Sequence, residues 1–354
     1  MSRTARTPAR ATTSILRSAP GSSTRPRRAR KFAAVVLAAA ALTTAAGAPA
    51  AHAAVFAGYE VVFQAPSTRL WVVNPGSRPI ETPSAMAPGT SPSVARMPNG
   101  NFEIAFVASN GELWVQDAFS GHGTGFLVAS NSSPSIATDA SGNWVVAVQG
   151  TDGRLWLLNS AGGLPLSTAS FMEPGTSPAI ARLSTGNVEI AFAASNGELW
   201  LQSGSSRGGT GVFLWPGTSP AITANTRGGW VVAAQDNTSR LWTVDSSGKK
   251  DKTPSAMNTG TSPSITWLST GDFEIAFAAS SGELWVQNTS GGHGTGIFPG
   301  SSPSVAADSR GGWTVAFLHA FTGTMWVLDS TGPANDTGVA VATGTGPAIT
   351  ALQR

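Results

Sequence analysis

The residue that precedes a recurring Leu-Trp pair alternates in charge along this chain. Arginine and glutamate take turns at six successive copies, which are Arg69, Glu112, Arg154, Glu198, Arg240 and Glu283. Guanidinium groups supply hydrogen-bond donors and carboxylates supply acceptors, so the two together can hold the hydroxyl groups of a sugar. The same alternation can instead form ion pairs between neighbouring units, each contributing about 0–1 kcal/mol if exposed. The sequence leaves both interpretations open.

Two further sets of residues recur at the same spacing. Aromatic residues with a polar edge begin one predicted strand in four copies, at Tyr59, Trp144, Trp230 and Trp313. Glutamines follow three of them by five residues, at Gln64, Gln149 and Gln235. An aromatic face near a strand end is a candidate platform for a ligand ring. The glutamines either pair with buried main chain or hold ligand hydroxyls. With the arginines and glutamates, these are the candidate ligand-binding residues.

Other carboxylates and histidines give weaker signals. Glu103, Glu189 and Glu274 each start Glu-Ile-Ala-Phe; two carboxylates facing each other across a sugar would indicate a glycosidase. Three equivalent copies instead suit charges that protect an edge strand from aggregation. His122 and His293 have no carboxylate neighbours at ligand spacing, and the chain has no cysteine. We therefore expect no catalytic residue, no metal site and no cofactor.

The Leu-Trp pairs belong to a repeat that occurs seven times. The marker tryptophans are Trp71, Trp114, Trp156, Trp200, Trp242, Trp285 and Trp326, separated by 41 to 44 residues. A proline, usually after Gly-Thr-Ser, keeps the same period from Pro92 to Pro347. A period of about 40–50 residues indicates one supersecondary unit repeated along the chain. We expect the marker tryptophans to pack between neighbouring units.

One unit shows how each repeat is built. Residues 177–181 form a short first strand that starts at a proline, and residues 188–193 form an alternating second strand. Asn196-Gly197 is a tight hairpin signal, and residues 198–202 form the third strand. A variable Gly/Ser-rich stretch supplies a weaker fourth strand. Four short antiparallel strands without helical periodicity predict a β-propeller blade.

The two ends of the repeat region complement each other. The chain stops after a first-strand segment at residues 344–350, and the remainder of that unit begins at Tyr59. The sequence therefore predicts an all-β, seven-bladed propeller of four-stranded antiparallel blades, closed by N- and C-terminal segments that share one blade. Blades with Glu-Leu-Trp alternate with blades that mostly have Arg-Leu-Trp. Because seven is odd, the alternation fails once, between the last blade and the composite first one.

Residues 1–53 differ from the repeats and predict a secretory signal peptide. They contain nine basic and no acidic residues, an 11-residue apolar run from Phe32 to Leu42, and Ala51-His52-Ala53 as a cleavage site. That run is too short for a membrane span, which needs about 20 residues. Residues 54–354 then form a single secreted propeller domain. Loss of the nine basic residues leaves 13 Lys and Arg against 19 Asp and Glu, and this net charge of −6 argues against nucleic-acid binding.

Three segments around the hairpins resemble a known blade signature. They are Val148–Trp156, Ala193–Trp200 and Ala278–Trp285. They are similar to bacterial seven-bladed propeller lectins of the fucose-binding Photorhabdus type and, more distantly, to tectonin and tachylectin propellers. The resemblance implies several sugar sites in clefts between adjacent blades. It favours a secreted multivalent carbohydrate-binding protein with glycans or glycoconjugates as partners. The alternatives are an extracellular scaffold for cell-surface proteins and a propeller hydrolase or lyase.

Overall fold

Seven four-stranded sheets make up this protein. The computed structural model describes residues 58–117, 120–161 and 164–352, whose regular structure consists of 28 β-strands. The strands form seven antiparallel sheets, which confirms the predicted seven-bladed propeller. No helix in the described ranges could cross a membrane. The signal peptide predicted for residues 1–53 lies outside the described residues.

The first four blades follow the chain order, apart from the inner strand of blade 1. Blade 1 contains β1 (Gly58–Gln64), β2 (Arg69–Val73), β3 (Ile80–Ala85) and one strand from the chain end. Blade 2 contains β4 (Ser93–Arg96), β5 (Phe102–Val107), β6 (Glu112–Gln116) and β7 (Gly121–Leu127). Blade 3 contains β8 (Ser135–Thr138), β9 (Trp144–Gln149), β10 (Arg154–Asn159) and β11 (Leu166–Phe171). Blade 4 contains β12 (Ala179–Arg182), β13 (Val188–Ala193), β14 (Glu198–Ser203) and β15 (Ser206–Phe213).

The remaining three blades complete the ring. Blade 5 contains β16 (Ala221–Ala224), β17 (Trp230–Gln235), β18 (Arg240–Asp245) and β19 (Lys250–Ala256). Blade 6 contains β20 (Ser264–Trp267), β21 (Phe273–Ala278), β22 (Leu284–Asn288) and β23 (Gly291–Gly294). Blade 7 contains β24 (Ser304–Ala307), β25 (Trp313–Leu318), β26 (Thr324–Asp329) and β27 (Asn335–Ala340). The last strand, β28 (Ala348–Leu352), is the inner strand of blade 1 and pairs with β1, so the ends share a blade as predicted.

A belt of serines links the blades around the axis. The Ser91 N–H donates to Ser133 Oγ in the next blade at 2.9 Å, and four further steps repeat this bond as far as Ser302. The Gly346 N–H donates to Ser91 Oγ at 2.8 Å, which makes six bonded steps of the seven around the ring. Because Gly346 has no hydroxyl group, the step from Ser302 to Gly346 lacks the equivalent bond. The recurring Gly-Thr-Ser-Pro motif therefore has a structural role in joining blades.

The hydrophobic core is divided among the seven junctions between neighbouring blades. Each junction has its own cluster of buried residues, and each marker tryptophan packs against the cluster that its blade shares with the preceding blade. Large side chains such as Phe106 and Phe192 are fully buried there. Burial of one such side chain contributes roughly 1.5–3 kcal/mol. The expectation that the marker tryptophans pack between blades is confirmed.

The junctions are of two kinds, which explains the two-blade period. At junctions 1–2, 3–4 and 5–6 a serine near the end of the fourth strand donates to a glutamine Oε1 of the next blade. These bonds join Ser84 to Gln116 at 2.7 Å, Ser170 to Gln202 at 3.0 Å and Ser255 to Gln287 at 2.6 Å. The other four junctions have an apolar residue in the serine position, namely Phe126, Val212, Ile297 or Val339. We call the first three the Arg-to-Glu junctions, because an arginine blade precedes a glutamate blade there.

Candidate functional site

The predicted site residues lie on two opposite faces of the ring. The upper face carries the Gly-Thr-Ser-Pro loops and the hairpins between second and third strands, where Arg69 and Glu112 begin their strands. The lower face carries the starts of the second strands, with Tyr59 and Trp144. Strands of 5–6 residues separate the two faces by about 17–20 Å. The aromatic set and the charged set therefore cannot contact one small ligand together.

The three candidate glutamines are part of the protein interior. Gln64, Gln149 and Gln235 are at most 1% exposed. Their Nε2 atoms donate to main-chain carbonyl groups of the next blade, on Ala87 at 2.9 Å, Glu173 at 3.3 Å and Asn258 at 2.9 Å. Of the two roles the sequence allowed, the structure shows the pairing with buried main chain. A ligand at the surface does not reach these amides.

The four candidate platforms are packed into junctions at the lower face. Tyr59, Trp144, Trp230 and Trp313 each contact the hydrophobic cluster shared with the preceding blade. Trp144 is only 8% exposed. Burial, and then the charge of Asp329, raise the pKa of Tyr59. Their main contribution is to packing, although Tyr59 and Trp230 also border clefts that open on the lower face.

The alternating charges support a bulge within their own blade. In two glutamate blades the carboxylate accepts a main-chain N–H of the fourth strand, from Gly125 to Glu112 and from Gly211 to Glu198, each at 2.6 Å. In two arginine blades the guanidinium donates instead to a carbonyl of the fourth strand, from Arg69 to Pro83 at 2.9 Å and from Arg240 to Pro254. At equivalent positions, the glutamate therefore accepts a hydrogen bond from the main chain of the fourth strand, and the arginine donates one to it.

Ion pairs between neighbouring blades, one of the two sequence interpretations, do not form. In the part of the chain that the structure describes, all four ion pairs lie within a single blade. They are Arg69–Glu81, Arg154–Asp152, Lys249–Asp251 and Lys252–Asp236. That interpretation is wrong because each charged side chain turns to its own fourth strand or hairpin. The arginines and glutamates are half-buried or partly exposed at the upper face and keep surface that a ligand can reach.

Hydrogen bonding keeps two of these glutamates ionised. The Gly125 N–H, followed by Asn110, lowers the pKa of Glu112. Burial by itself would raise the pKa of Glu198, but bonds from Gly211, Trp200 and Asn196 lower it overall. A glycine opposite the carboxylate is required for this geometry, since a Cβ on Gly209 would lie 2.3 Å from Glu198 Oε1. The carboxylates therefore offer acceptor oxygens next to the marker tryptophans.

An open cleft lies at the upper end of junction 5–6. Its volume is about 280 Å³, and residues 254–256 of blade 5 line it opposite Ser281 and Trp285 of blade 6. Arg240 is bonded to the Pro254 carbonyl on the blade 5 side, and Glu283 lies two residues before Trp285 on the other. The Trp285 indole thus lines a cleft between adjacent blades, and Arg240 and Glu283 lie next to residues of its lining.

Two hydrogen-bonding groups near this cleft have few partners within the described part of the protein. The Trp285 Nε1 atom is buried and has no partner among the described residues. The Glu283 carboxylate receives one hydrogen bond in the described part of the chain, from Ser281 Oγ at 3.4 Å. By contrast, Glu198 receives three, from Asn196, Trp200 and Gly211. An indole N–H without a partner costs free energy unless a ligand or water binds it.

The other two Arg-to-Glu junctions differ from each other. Residues 83–85 at junction 1–2 are Pro-Ser-Ala, the same tripeptide as residues 254–256 at junction 5–6. At junction 3–4 the last position is Phe171, and the Arg154 guanidinium lies 4.2 Å above its ring. Arg207 also crosses that junction to bond the Thr168 carbonyl at 3.1 Å and Ser170 Oγ at 3.3 Å. Larger side chains thus occupy the place that alanine leaves open elsewhere.

The Glu-Ile-Ala-Phe carboxylates lie inside the protein, which corrects their assignment to an edge strand. Their strands are second strands with a neighbour on each side, and Glu189 and Glu274 are 7% and 4% exposed. Burial raises the pKa of Glu103 and Glu189, and it raises that of Glu274 to about 7. Each glutamate belongs to a different blade, so no two of them face each other across a cleft. The glycosidase arrangement is not formed by these residues.

Metal binding finds no support in the described residues. His122 and His293 are exposed and lie in blades 2 and 6. No group of three or more His, Cys, Asp or Glu is placed to hold a metal ion in the ranges that the structure describes.

Sequence reasoning missed a lower-face tryptophan and the junction serines. Trp267 ends a first strand where the other blades have arginine, threonine or alanine, and it lines a cleft at junction 5–6. Its departure from the repeat was the available signal. Ser84, Ser170 and Ser255 lie in the variable fourth strands, where the repeat is too weak to align by eye.

Similar solved structures include lectins and a protein-binding propeller. The SapL1 lectin in complex with alpha methyl fucoside has a TM-score of 0.52 and 16% identity, covering 71% of this chain and 95% of that chain. The fucose-specific lectin from Aleuria aurantia has a TM-score of 0.50 and 14% identity, covering 72% and 96%. BBS1N in complex with ARL6DN has a TM-score of 0.51 and 13% identity, covering 74% and 84%. At these identities the likeness shows the fold. No family model and no curated protein matches the sequence.

Proposed function

We propose that this protein is a secreted carbohydrate-binding protein with one site in the upper-face cleft at junction 5–6 and a second at junction 1–2, which has the same Pro-Ser-Ala tripeptide. The observation that carries the proposal is the open cleft beside Trp285. The Trp285 indole lines this cleft, the sparsely bonded Glu283 carboxylate lies two residues before it, and the Arg240 guanidinium is bonded to the Pro254 wall. Secretion is part of the proposal and comes from the predicted signal peptide.

The cleft chemistry suits a neutral monosaccharide. The apolar face of a pyranose can lie against the Trp285 indole, and a sugar hydroxyl can donate to the Glu283 carboxylate. A second sugar oxygen can accept from the Arg240 guanidinium. A volume of about 280 Å³ accommodates one sugar ring rather than a long chain. The site therefore selects a terminal or single residue of a glycan.

Two sites on one rigid ring, at junctions 5–6 and 1–2, favour multivalent binding. Sites of modest affinity held together can gain roughly 10²–10⁴ in effective affinity for a surface that displays many copies of the sugar. Fucose is the first sugar to test, because the lectins with similar folds are described with fucose or alpha methyl fucoside. Binding without chemical conversion is the activity we propose.

A glycan array with two matched variants tests the proposal. Ala256→Phe places at junction 5–6 the residue that junction 3–4 already has as Phe171. We expect the purified protein to bind a defined set of neutral glycans and Ala256→Phe to lower the signal at least severalfold. Ala340→Phe is the control, because it adds the same side chain at the equivalent position of junction 7–1.

The outcomes separate clearly. Loss with Ala256→Phe and not with Ala340→Phe, at unchanged melting temperature, places the sugar in the proposed cleft. Equal signals from the parent and both variants would indicate that the sugar binds elsewhere on the ring. A blank array from a folded protein would reject carbohydrate binding.

Protein docking is a second candidate function, favoured by exposed apolar side chains. Leu127, Phe213 and Phe321 are 53%, 47% and 77% exposed, and all three lie at the upper face. Phe321 is in a hairpin one residue longer than its six equivalents. BBS1N, which has a similar fold, is seen in complex with another protein. Capture of a cell-surface protein that is lost with Phe321→Ser would support this function over sugar binding.

A further inference from the structure

A second cleft opens at junction 5–6, on the lower face. Its volume is about 460 Å³. Asp245 and Ser247 of blade 5 line it opposite Trp267, Asp272 and Phe273 of blade 6. It is separated from the upper-face cleft by the length of the strands, about 17–20 Å. The proposed sugar site does not use any of these residues.

The aromatic wall of this lower cleft is specific to blade 6. The Trp267 and Phe273 rings have centroids 6.4 Å apart and are tilted by 43°. At the place of Trp267 the other blades have smaller or charged residues, which are Arg96, Thr138, Arg182, Ala224, Ala307 and Ala351. Six of the seven blades therefore form without a tryptophan at this position. Trp267 is half-buried: it packs against the hydrophobic cluster of junction 5–6 and also borders the cleft.

Two carboxylates face the cleft from its two walls. Asp245 Oδ1 accepts bonds from the Ser247 N–H at 2.9 Å and its Oγ at 2.6 Å, and from the Lys249 N–H at 3.1 Å. Burial would raise the pKa of Asp245, but these bonds lower it overall. Asp272 accepts from Thr289 Oγ1 at 2.5 Å and from the Phe273 N–H at 2.8 Å. Both carboxylates are thus held in fixed positions.

Among the described residues, none that lines this cleft is basic; Arg227, the blade 5 equivalent of Arg310, lies outside the lining. The nearest basic residue on the blade 5 hairpin, Lys249, has its Nζ atom 2.5 Å from Asp251 Oδ2. The equivalent lower-face cleft at junction 7–1 differs on each point. It has a volume of about 70 Å³, Ala351 in place of Trp267, and Arg310 in its lining. The combination of aromatic rings, acidic groups and space therefore occurs at junction 5–6 and not at the equivalent cleft of junction 7–1.

We propose that the lower cleft at junction 5–6 binds an organic ammonium group, such as a quaternary or primary amine with an apolar substituent. An aromatic face attracts a cation through its quadrupole, most strongly for tryptophan. Carboxylates on both sides supply the counter-charge, and Phe273 contacts the methyl or methylene groups around the nitrogen. The ligand thus satisfies the apolar and the acidic parts of the lining at once.

The test compares choline with its neutral carbon isostere, in which a tert-butyl group replaces the trimethylammonium group. Binding to the purified protein is measured by calorimetry and tryptophan fluorescence at low ionic strength. We expect choline to bind roughly tenfold or more tightly than the isostere, since the two differ in charge and hardly in shape. Equal binding of both, or no binding of choline, overturns the proposal.

Variants taken from the repeat itself locate the site. Trp267→Thr installs the residue that blade 3 has as Thr138, and Asp245→Asn installs its Asn159. We expect each to weaken choline binding at least fivefold, with melting temperature near that of the parent. Asp329→Asn, at the equivalent place of the 7–1 cleft, is the control and should leave binding unchanged. Retained binding in both test variants, or equal loss in the control, would contradict this assignment. Glycan binding by the same variants should be unaffected, so the two proposals can fail separately.

Discussion

Two kinds of blade junction hold this ring together, and they differ most at the upper face. At junction 2–3 the Phe126 ring packs on Trp156 with centroids 5.3 Å apart and fills the space between the blades. At junction 5–6 Ser255 takes the place of the phenylalanine and bonds Gln287 at 2.6 Å. The smaller polar residue leaves a cleft beside Trp285. The alternation therefore divides the ring into junctions closed by an apolar side chain and serine junctions, of which junction 3–4 is filled by Phe171 and Arg207 and junction 5–6 stays open to a ligand.

The largest expected effect is the loss of packing at a closed junction. Phe126→Ser converts junction 2–3 to the serine type without supplying the glutamine that would bond it. We expect a loss of about 3 kcal/mol in the free energy of unfolding, in the range found for large-to-small core substitutions. Denaturant unfolding measures it. A loss below about 1 kcal/mol would show that Phe126 does not close the junction.

The next effect is counted per pH unit and concerns Glu60, which is 1% exposed on β1 in blade 1. Blades 3 and 5 have Val145 and Val231 in its place. Burial raises the pKa of Glu60 from 4.5 to about 8. Between those values the folded chain keeps a proton that the unfolded chain loses, so stability falls as pH rises through this window. The slope contributed is at most about 1.4 kcal/mol per pH unit.

Glu60→Gln should remove this dependence. Unfolding measured at several pH values from 5 to 8 should give a flatter curve for the variant and a more stable variant at the upper end. Parallel curves for the two proteins would show that Glu60 is not the group responsible.

The smallest effect is expected at the polar contact of an open junction. Ser255→Ala removes one hydrogen bond to Gln287, a half-buried side chain that water can then reach. We expect a loss of about 1 kcal/mol in the free energy of unfolding. Ser246→Ala, outside the bond, is the control. If Ser255→Ala lowered the free energy of unfolding as much as Phe126→Ser, the two kinds of junction would not differ in energy as we expect.

The sequence predicts the fold well because the fold repeats. Seven copies of one strand pattern, with Asn196-Gly197 and its equivalents at the hairpins, determine the blades, and the split repeat determines closure. The site was harder to predict, because spacing along the chain does not show which end of a strand a residue occupies. Arg154 and Trp144 are ten residues apart and lie on opposite faces. The second strand places Gln149 in the interior, and the pattern alone did not exclude a ligand there.

The junction serines and Trp267 show the other limit. Ser84 and Ser255 lie in fourth strands whose length varies from four residues in β23 to eight in β15, so their equivalence emerges only from the sheet register. Trp267 departs from the repeat at a single position. A repeat analysis highlights what the copies share, whereas a ligand site can depend on the residue that one copy does not share.

The most direct test of the account is the number of sugars bound at saturation. Calorimetric titration or native mass spectrometry with the best monosaccharide from the array should give two per chain, one at junction 1–2 and one at junction 5–6. Ala256→Phe should reduce this number to one. Seven equivalent sites, or a number that Ala256→Phe leaves unchanged, would contradict the claim that open Arg-to-Glu junctions are the binding sites.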